Sequence, residues 1–383
     1  MKSNYEPLGK HIQLVDYRNS EEVTSTVLGI SIDKEFMPSV ANVIGTDLSR
    51  YKLISKGLFA CNPMHVGRDE RLPIALYEKD SPAIVSPAYF MFEIIDRDVL
   101  NEEYLMMWFR RPEFDRECWF MTDGSVRGGI TWDDLCRIKL PVPSYARQCE
   151  IVESYRAITD RIALKRAEND NLEATAMSLY KSWFIDYEPF DLDDEGLPVG
   201  WCKEKLNDKL STSTQSINPQ KMDCDFVWHY SIPAYDNEKL PSKDTPSSIL
   251  SNKYIVPQNA ILVSKLNPDT KRIWRSVPCF ENAICSTEFI VFSTKEPTHR
   301  AFYYLLFNTG SFIDFLVSNA TGSTNSRMRV KPASSLDFEF ICPPNEVIDS
   351  FCRKVEPLLQ KIEENHLEIR KLKELIPIAV AKM

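Results

Sequence analysis

A chain of 383 residues is too long for one ordinary domain and has room for two of about 150 residues plus connecting elements. With 43% hydrophobic and 26% charged residues, no stretch near the roughly 18 apolar residues of a bilayer span and no apolar signal-peptide core in MKSNYEPLGK, a cytoplasmic globular protein is expected. The net charge of −9 argues against a uniformly basic nucleic-acid binder. Charge is unevenly spread, however: residues 186–195 (DYEPFDLDDE) are acidic, whereas residues 315–336 hold no acidic residue and carry Arg327, Arg329 and Lys331.

In chain order, residues 57–63 (GLFACNP) and 83–94 (AIVSPAYFMFEI) have strand composition bounded by Pro, Asn and Gly, and residues 104–109 form an apolar helix candidate. A strand-like RIKLPVP ends at Pro143 and leads into a long helical pattern. There Ile151, Tyr155, Ile158, Ile162, Lys165, Asn169, Leu172, Ala176, Leu179 and Trp183 step by four and three, a coiled-coil seam. Tyr180, Trp183, Phe184 and Tyr187 could stack on bases, but their place at a helix end favours core packing. After the acidic linker, EGLPVGW opens a second unit with strands at 259–265 (NAILVSK) and 289–294 (FIVFST) and a helix at 301–307. A second seam follows: Ile348, Phe351, Val355, Leu358, Ile362, Asn365, Ile369, Leu372, Ile376 and Ala379. Pro357 falls inside it, and the missing amide predicts a kink or a break.

The second half repeats the first at an offset near 200. SPAYFMFEI at Ser86 answers STEFIVFST at Ser286, LMMWF ending at Phe109 answers YYLLF ending at Phe307, and Gly124-Ser125 answers Gly322-Ser323. RIKLPVP matches EFICPP, and EIVESY at Glu150 matches EVIDSF at Glu346. The expected fold is α+β: two similar mixed α/β units and two long helices forming an antiparallel coiled coil, with a pseudo-two-fold internal repeat. The expected boundaries are 1–144 and 201–344 for the globular units, 145–187 and 345–383 for the helices, and 188–200 for the linker. Antiparallel pairing would bring Asn169 and Asn365 together, where a seam asparagine fixes register at some loss of stability. Helices of 35 to 40 residues would be about 50 to 60 Å long, a ruler suited to a ligand with two separated sites.

Catalytic and metal motifs are missing. The ten cysteines are scattered without a CxxC, and His11, His65, His229, His299 and His366 do not fall at metal-ligand spacing from them. CPPN at Cys342 fails the Asp/Asn-Pro-Pro-aromatic pattern of an adenine methyltransferase, and neither GxGxxG nor a P-loop occurs. A non-catalytic binding protein is the reading; a nuclease built on scattered carboxylates has no recognisable signature to test.

The segments LGKHIQLVDYRN, IGTDLSRYKLISKGLFACNP, EYLMMWFRRPEFDR, GSVRGGI to LPVP, and LEATAMSLYKSWFIDYEP resemble the specificity subunit of type I restriction-modification systems, and GSTNSRMRVKPASSLDFEFICPP continues the likeness in the second half. The resemblance implies two target recognition domains, each reading half of an interrupted double-stranded DNA sequence, with the helices setting the gap. It implies methyltransferase subunits and a restriction and translocation subunit as partners. S-adenosylmethionine would belong to the methyltransferase and no cofactor to this chain. A stand-alone DNA-binding regulator or a coiled-coil scaffold is the competing reading. Candidate DNA contacts lie on loops: Arg68 and Arg71 in CNPMHVGRDER, their counterparts Lys265, Lys271, Arg272 and Arg275 in SKLNPDTKRIWR, and Ser125, Arg127, Ser323, Asn325, Arg327 and Arg329 on the paired Gly-Ser loops. Asn169 and Asn365 are assigned to coiled-coil register.

Overall fold

The computed structural model describes residues 5–39, 45–64, 66–122, 128–277, 280–322 and 327–380. It divides into two compact units, residues 1–161 with 372–383 (unit 1) and residues 162–371 (unit 2). The first long helix, Tyr145–Phe184, and the second, Asn345–Val380, each contribute residues to both units. Among the described residues no helix is long and apolar enough to cross a membrane.

Unit 1 contains β1 (Tyr5–Pro7), β2 (Ile12–Leu14), β3 (Val27–Ile30), β4 (Phe36–Pro38), β5 (Lys52–Ile54), β6 (Phe59–Cys61), β7 (Ile74–Leu76), β8 (Ala83–Val85), β9 (Phe90–Ile94) and β10 (Lys139–Pro141). These form a β1-β10 ribbon, an antiparallel sheet in the order β2-β9-β6-β7, and a sheet in the order β4-β3-β8-β5 in which β3 and β8 run parallel. Unit 2 contains β11 (Cys202–Lys205), β12 (Leu210–Ser213), β13 (Ser216–Ile217), β14 (Val227–Tyr230), β15 (Ser242–Asp244), β16 (Lys253–Ile255), β17 (Ile261–Ser264), β18 (Ile273–Arg275), β19 (Ala283–Cys285), β20 (Phe289–Thr294) and β21 (Glu339–Cys342). Its sheets repeat the plan strand for strand: β11-β21, β12-β20-β17-β18, and β15-β14-β19-β16 with β13 added at the edge, β14 and β19 again being parallel. The duplication read from weak sequence identity is therefore a duplication of topology.

The central strands are buried on both faces, which explains why they read as continuous apolar runs instead of alternating ones. In β6, Phe59 and Cys61 join the core beneath the helix Glu102–Phe109, while Ala60 joins the core between the two sheets. In β17, Ile261 and Val263 face one core and Leu262 the other. Register pairs Phe59 with Phe92 and Ile261 with Phe292, and the Phe59 and Phe92 rings stack at 5.1 Å. The helix Glu102–Phe109 starts at Asn101, whose side chain accepts from the Glu103 and Tyr104 amides, and it buries Tyr104 through Phe109. Its counterpart Arg300–Phe307 buries Phe302, Tyr303 and Phe307 in the same way.

Within unit 2 the two long helices run antiparallel. Lys165 lies against Glu368, Asn169 against Asn365, and Trp183 and Phe184 against Phe351, so contacts move down one helix as they move up the other. The seam is buried or half-buried at each predicted position in this stretch. Asn365 is fully buried, and its Nδ2 donates to Asn169 Oδ1 at 2.8 Å and to Glu168 Oε2 at 3.0 Å, while its Oδ1 accepts from Lys165 Nζ at 3.0 Å. Pro357 neither ends nor splits the second helix, which continues to Val380. The proline sits on an exposed face, and Leu358 and Leu359 beside it keep the apolar side intact. Tyr180, Trp183, Phe184 and Tyr187 pack in the unit 2 core with Phe302, Phe351 and Trp201, the structural reading of those aromatics.

Replacing Asn365 alone by Leu leaves the Asn169 amide buried without this partner, and a loss of about 1 to 3 kcal/mol is expected in chemical denaturation. Replacing Asn169 and Asn365 together by Leu should restore most of that stability, because an apolar seam needs no amide partner.

Candidate nucleic-acid interface

In unit 1 the β6–β7 connection, with a short helix Val66–Asp69, carries Arg68 and Arg71. It is tied to the chain that follows the Gly-Ser loop: Ile130 N donates to Pro63 O at 3.1 Å and Gly67 N to Gly128 O at 3.0 Å. A Cβ at Gly129 would stand 2.8 Å from Pro63 O, so this close approach requires glycine. Arg68 forks onto Asp69, with Nε to Oδ1 at 2.7 Å and Nη2 to Oδ2 at 2.9 Å, and Arg71 Nη1 donates to Asp33 Oδ1 at 3.1 Å. Ser125 and Arg127 lie outside the described residues.

Unit 2 builds the same junction from the β17–β18 connection. Asn267 N donates to Met328 O at 2.8 Å, Val330 N to Lys265 O at 3.0 Å, and Thr321 and Arg329 exchange backbone bonds. A Cβ at Gly322 would stand 2.6 Å from Arg327 O. The structure thus brings together in each unit two loop segments that lie far apart in sequence. Lys271 and Arg327 are exposed and Lys265 is half-buried. Arg272 forks onto Asp236 at 2.6 and 2.9 Å, and Arg329 onto Glu288 at 3.0 and 3.1 Å. Ser323 and Asn325 lie outside the described residues. The Arg329 pair faces solvent, where such pairs contribute about 0 to 1 kcal/mol, so its guanidinium can exchange partners readily, whereas the Arg272 side chain is half-buried.

Arg275 is a correction. It is 6% exposed in β18, and its guanidinium meets Glu356 at 2.5 Å and Glu363 at 3.2 Å on the second long helix. Arg300, 5% exposed, joins the cluster, donating to Ser276 O at 2.9 Å and lying 3.4 Å from Glu363. Burial holds the Arg300 guanidinium down to about 10, with Arg275 adding repulsion, and burial pushes the Glu363 carboxyl up against the pull of both arginines. The cluster fastens the second helix to the unit 2 sheet and leaves Arg275 no route to DNA. Sequence reading missed it because the run KRIWR looks like a basic loop, while both glutamates sit far along the chain.

His366 lines a cavity of about 50 Å³ within unit 2 together with Glu173, Lys239, Arg275 and Glu363. Burial, with Lys239 and Arg166 nearby, holds its imidazole down to about 4. Among the described residues no group of His, Cys, Asp and Glu is arranged to hold a metal ion.

The duplicated plan, with basic side chains on the same loop in both units, defines a protein of two similar modules. No protein-family model matches the chain. It is similar to the type I restriction enzyme MjaIX specificity subunit of Methanocaldococcus jannaschii, 23% identical over 316 residues that span 76% of this chain and 70% of that one. It is also similar to the type I restriction enzyme HindI specificity subunit of Haemophilus influenzae, 20% identical over 66% of this chain and 70% of that one. The crystal structure of the type I restriction-modification S subunit from M. genitalium shares the fold, with a TM-score of 0.58 and 13% identity across all of this chain and 96% of that one. Both relatives are specificity subunits of type I restriction enzymes, and the solved structure that shares the fold is a type I restriction-modification S subunit.

Two outcomes are expected. Glu363→Ala leaves the buried Arg275 and Arg300 with Glu356 as their one remaining carboxylate and should destabilise the protein by about 3 to 5 kcal/mol in urea denaturation, whereas Arg68→Ala at an exposed position should change it by less than about 1 kcal/mol. His366 is held below its ordinary value of 6.5, so its contribution is present above pH 6.5 and is lost as pH falls towards about 4. His366→Gln should therefore flatten the fall of the denaturation midpoint across that window.

Proposed function

We propose that the chain is the sequence-recognition subunit of a type I restriction-modification complex, each unit reading one half of an interrupted double-stranded DNA target. The observation that supports it most directly is the repeated junction of two loops in both units, each presenting basic side chains at the ends of equivalent strands. Loops of this kind reach base edges and phosphates while the strands behind them stay packed. In unit 1 the basic groups are Arg68 and Arg71; in unit 2 they are Lys265, Lys271, Arg272, Arg327 and Arg329. Ser125, Arg127, Ser323 and Asn325 complete the proposed set from the Gly-Ser loops.

In this reading the chain performs no reaction. Methyltransferase subunits bind it and supply S-adenosylmethionine chemistry, a restriction and translocation subunit completes the nuclease, and the long helices set the number of base pairs between the two half-sites. Similarity to named specificity subunits supports the division of labour.

Expression with the cognate methyltransferase, followed by genome-wide mapping of modified adenines, should return two short tracts separated by an unspecified spacer. Exchange of unit 1 loops for those of another specificity subunit should alter one tract only; a contiguous motif, or no modification, would overturn the reading. DNA affinity should fall steeply with salt, and Lys271→Ala or Arg327→Ala should each lower the slope of log affinity against log salt by about 1 if the residue neutralises a phosphate.

A further inference from the structure

A recess of about 410 Å³ in unit 1 is lined by Asp33, Lys34, Glu70, Arg71, Arg110 and Arg116, among others. Its floor is a buried ion pair. Lys34 is 4% exposed and sits after β3 with a left-handed backbone, φ 66°. Its Nζ donates to Asp115 Oδ1 at 2.7 Å and to the Phe109 carbonyl, and the same Asp115 oxygen accepts from Leu72 N at 3.1 Å. Each of these contacts is one residue from an arginine: Leu72 follows Arg71, Phe109 precedes Arg110, and Asp115 precedes Arg116.

A buried ion pair is weak evidence for stability, since desolvation opposes the Coulomb gain; fixing the placement of segments is its better-attested use. Here it adds a polar tie to three segments that Leu72, Phe109 and Phe114 also pack together in the core, and their three arginines line one space. Their present partners are solvent-facing: Arg71 pairs with Asp33, Arg116 with Glu113 at 3.4 Å, and Arg110 donates to the Tyr155 hydroxyl at 3.4 Å. A phosphate oxygen accepts forked guanidinium bonds better than any of these. With Lys34 and Asp115 cancelling, the lining sets three arginines against Asp33 and Glu70, and a phosphate that binds there takes the place of Asp33 and Glu113 as their exposed partners.

The fold does not require the recess. Phe109 and Phe114 in unit 1 correspond to Phe307 and Phe312 in unit 2, ring pairs 5.0 and 4.5 Å apart, and this alignment puts Asn308, Ile313 and Asp314 at the places of Arg110, Asp115 and Arg116. The charged floor and two of the arginines are therefore peculiar to unit 1.

We propose that this recess grips one backbone phosphate of the DNA, with Arg71, Arg110 and Arg116 binding it and Lys34 and Asp115 as positioning residues. The assignment rests on the DNA-recognition reading above. The test is binding of the full chain to a mixed-sequence duplex, followed by fluorescence anisotropy over a range of KCl concentrations. The variant Arg110→Ala with Arg116→Ala, at two exposed positions, should weaken binding about 5- to 10-fold and lower the salt slope by about 0.9, the contribution of one phosphate. Lys34→Met with Asp115→Leu keeps the arginines and removes the floor; a matching fall in slope with cooperative unfolding retained supports positioning. If that variant does not fold, the arginine pair decides alone. Unchanged slope and affinity in the arginine variant, beside a salt-dependent wild type, overturn the recess and leave DNA recognition standing. A salt-insensitive wild type overturns DNA recognition and the recess with it. Inorganic phosphate, titrated at fixed ionic strength, separates the sources: if it binds the wild type but not the variant while their DNA slopes agree, the recess takes free phosphate and the backbone assignment fails.

Discussion

Two-sided burial of the central strands constrains everything else in each unit. In β6 and β9, and again in β17 and β20, neighbouring apolar side chains enter different cores, so the middle of each strand is buried on both faces. A strand packed this way cannot offer a side chain to a ligand without opening a core, and the side chains free to meet one lie on the connections at strand ends. Arg275 shows what the constraint does to a charge that falls inside a strand. Its guanidinium is taken up by Glu356 and Glu363, and the result is an attachment between sheet and helix instead of a contact surface.

Polar groups inside the protein follow one logic in three places. The Asn169–Asn365 bond in the helix seam, the Arg275 and Arg300 cluster with its two glutamates, and the Lys34–Asp115 pair each join segments that apolar contacts alone would allow to slide. Apolar packing is tolerant of small shifts, since many arrangements bury similar area. A buried amide or charge is not tolerant, because each alternative arrangement leaves it without a partner. What these groups contribute is placement more than stability, and placement is what a loop-borne reading surface needs from the scaffold behind it.

Much of this was legible in the sequence, for a physical reason. Steps of four and three from Ile151 to Trp183 and from Ile348 to Ala379 report a helical stripe directly, and the seam pairing of Asn169 with Asn365 followed from it. The apolar runs at β6, β9, β17 and β20 announced buried strands, and the repeat placed the loop of Arg68 and Arg71 opposite the segment of Lys265, Lys271, Arg272 and Arg275. Charge partnership was not legible. Arg275 and Glu356, like Lys34 and Asp115, are 81 residues apart, and no local pattern marks either pair. Arg275 was read as a loop residue because Lys271 and Arg272 precede it. Its position in β18, where Ile273 and Trp274 are also buried, is settled by the sheet and not by the run. Pro357 misled in the other direction: a helix interior position predicts disruption, yet an exposed face with leucines alongside lets the helix continue.

The acidic balance of the chain and its loop arginines are two parts of one electrostatic arrangement. Arg68, Arg71, Arg272 and Arg329 each rest on a nearby carboxylate, so the surface presents paired charges and the net charge of −9 says little about any one loop. A lone anion arriving at such a pair gains only the difference between its own contact and the carboxylate's, which is small in water. A duplex arrives with many phosphates at fixed spacing, and the exchanges at separate loops then add together and release counterions along its length. On the proposed reading, paired arginines would resist small anions while yielding to a polyanion of the right spacing, and an acidic overall charge is compatible with reading DNA.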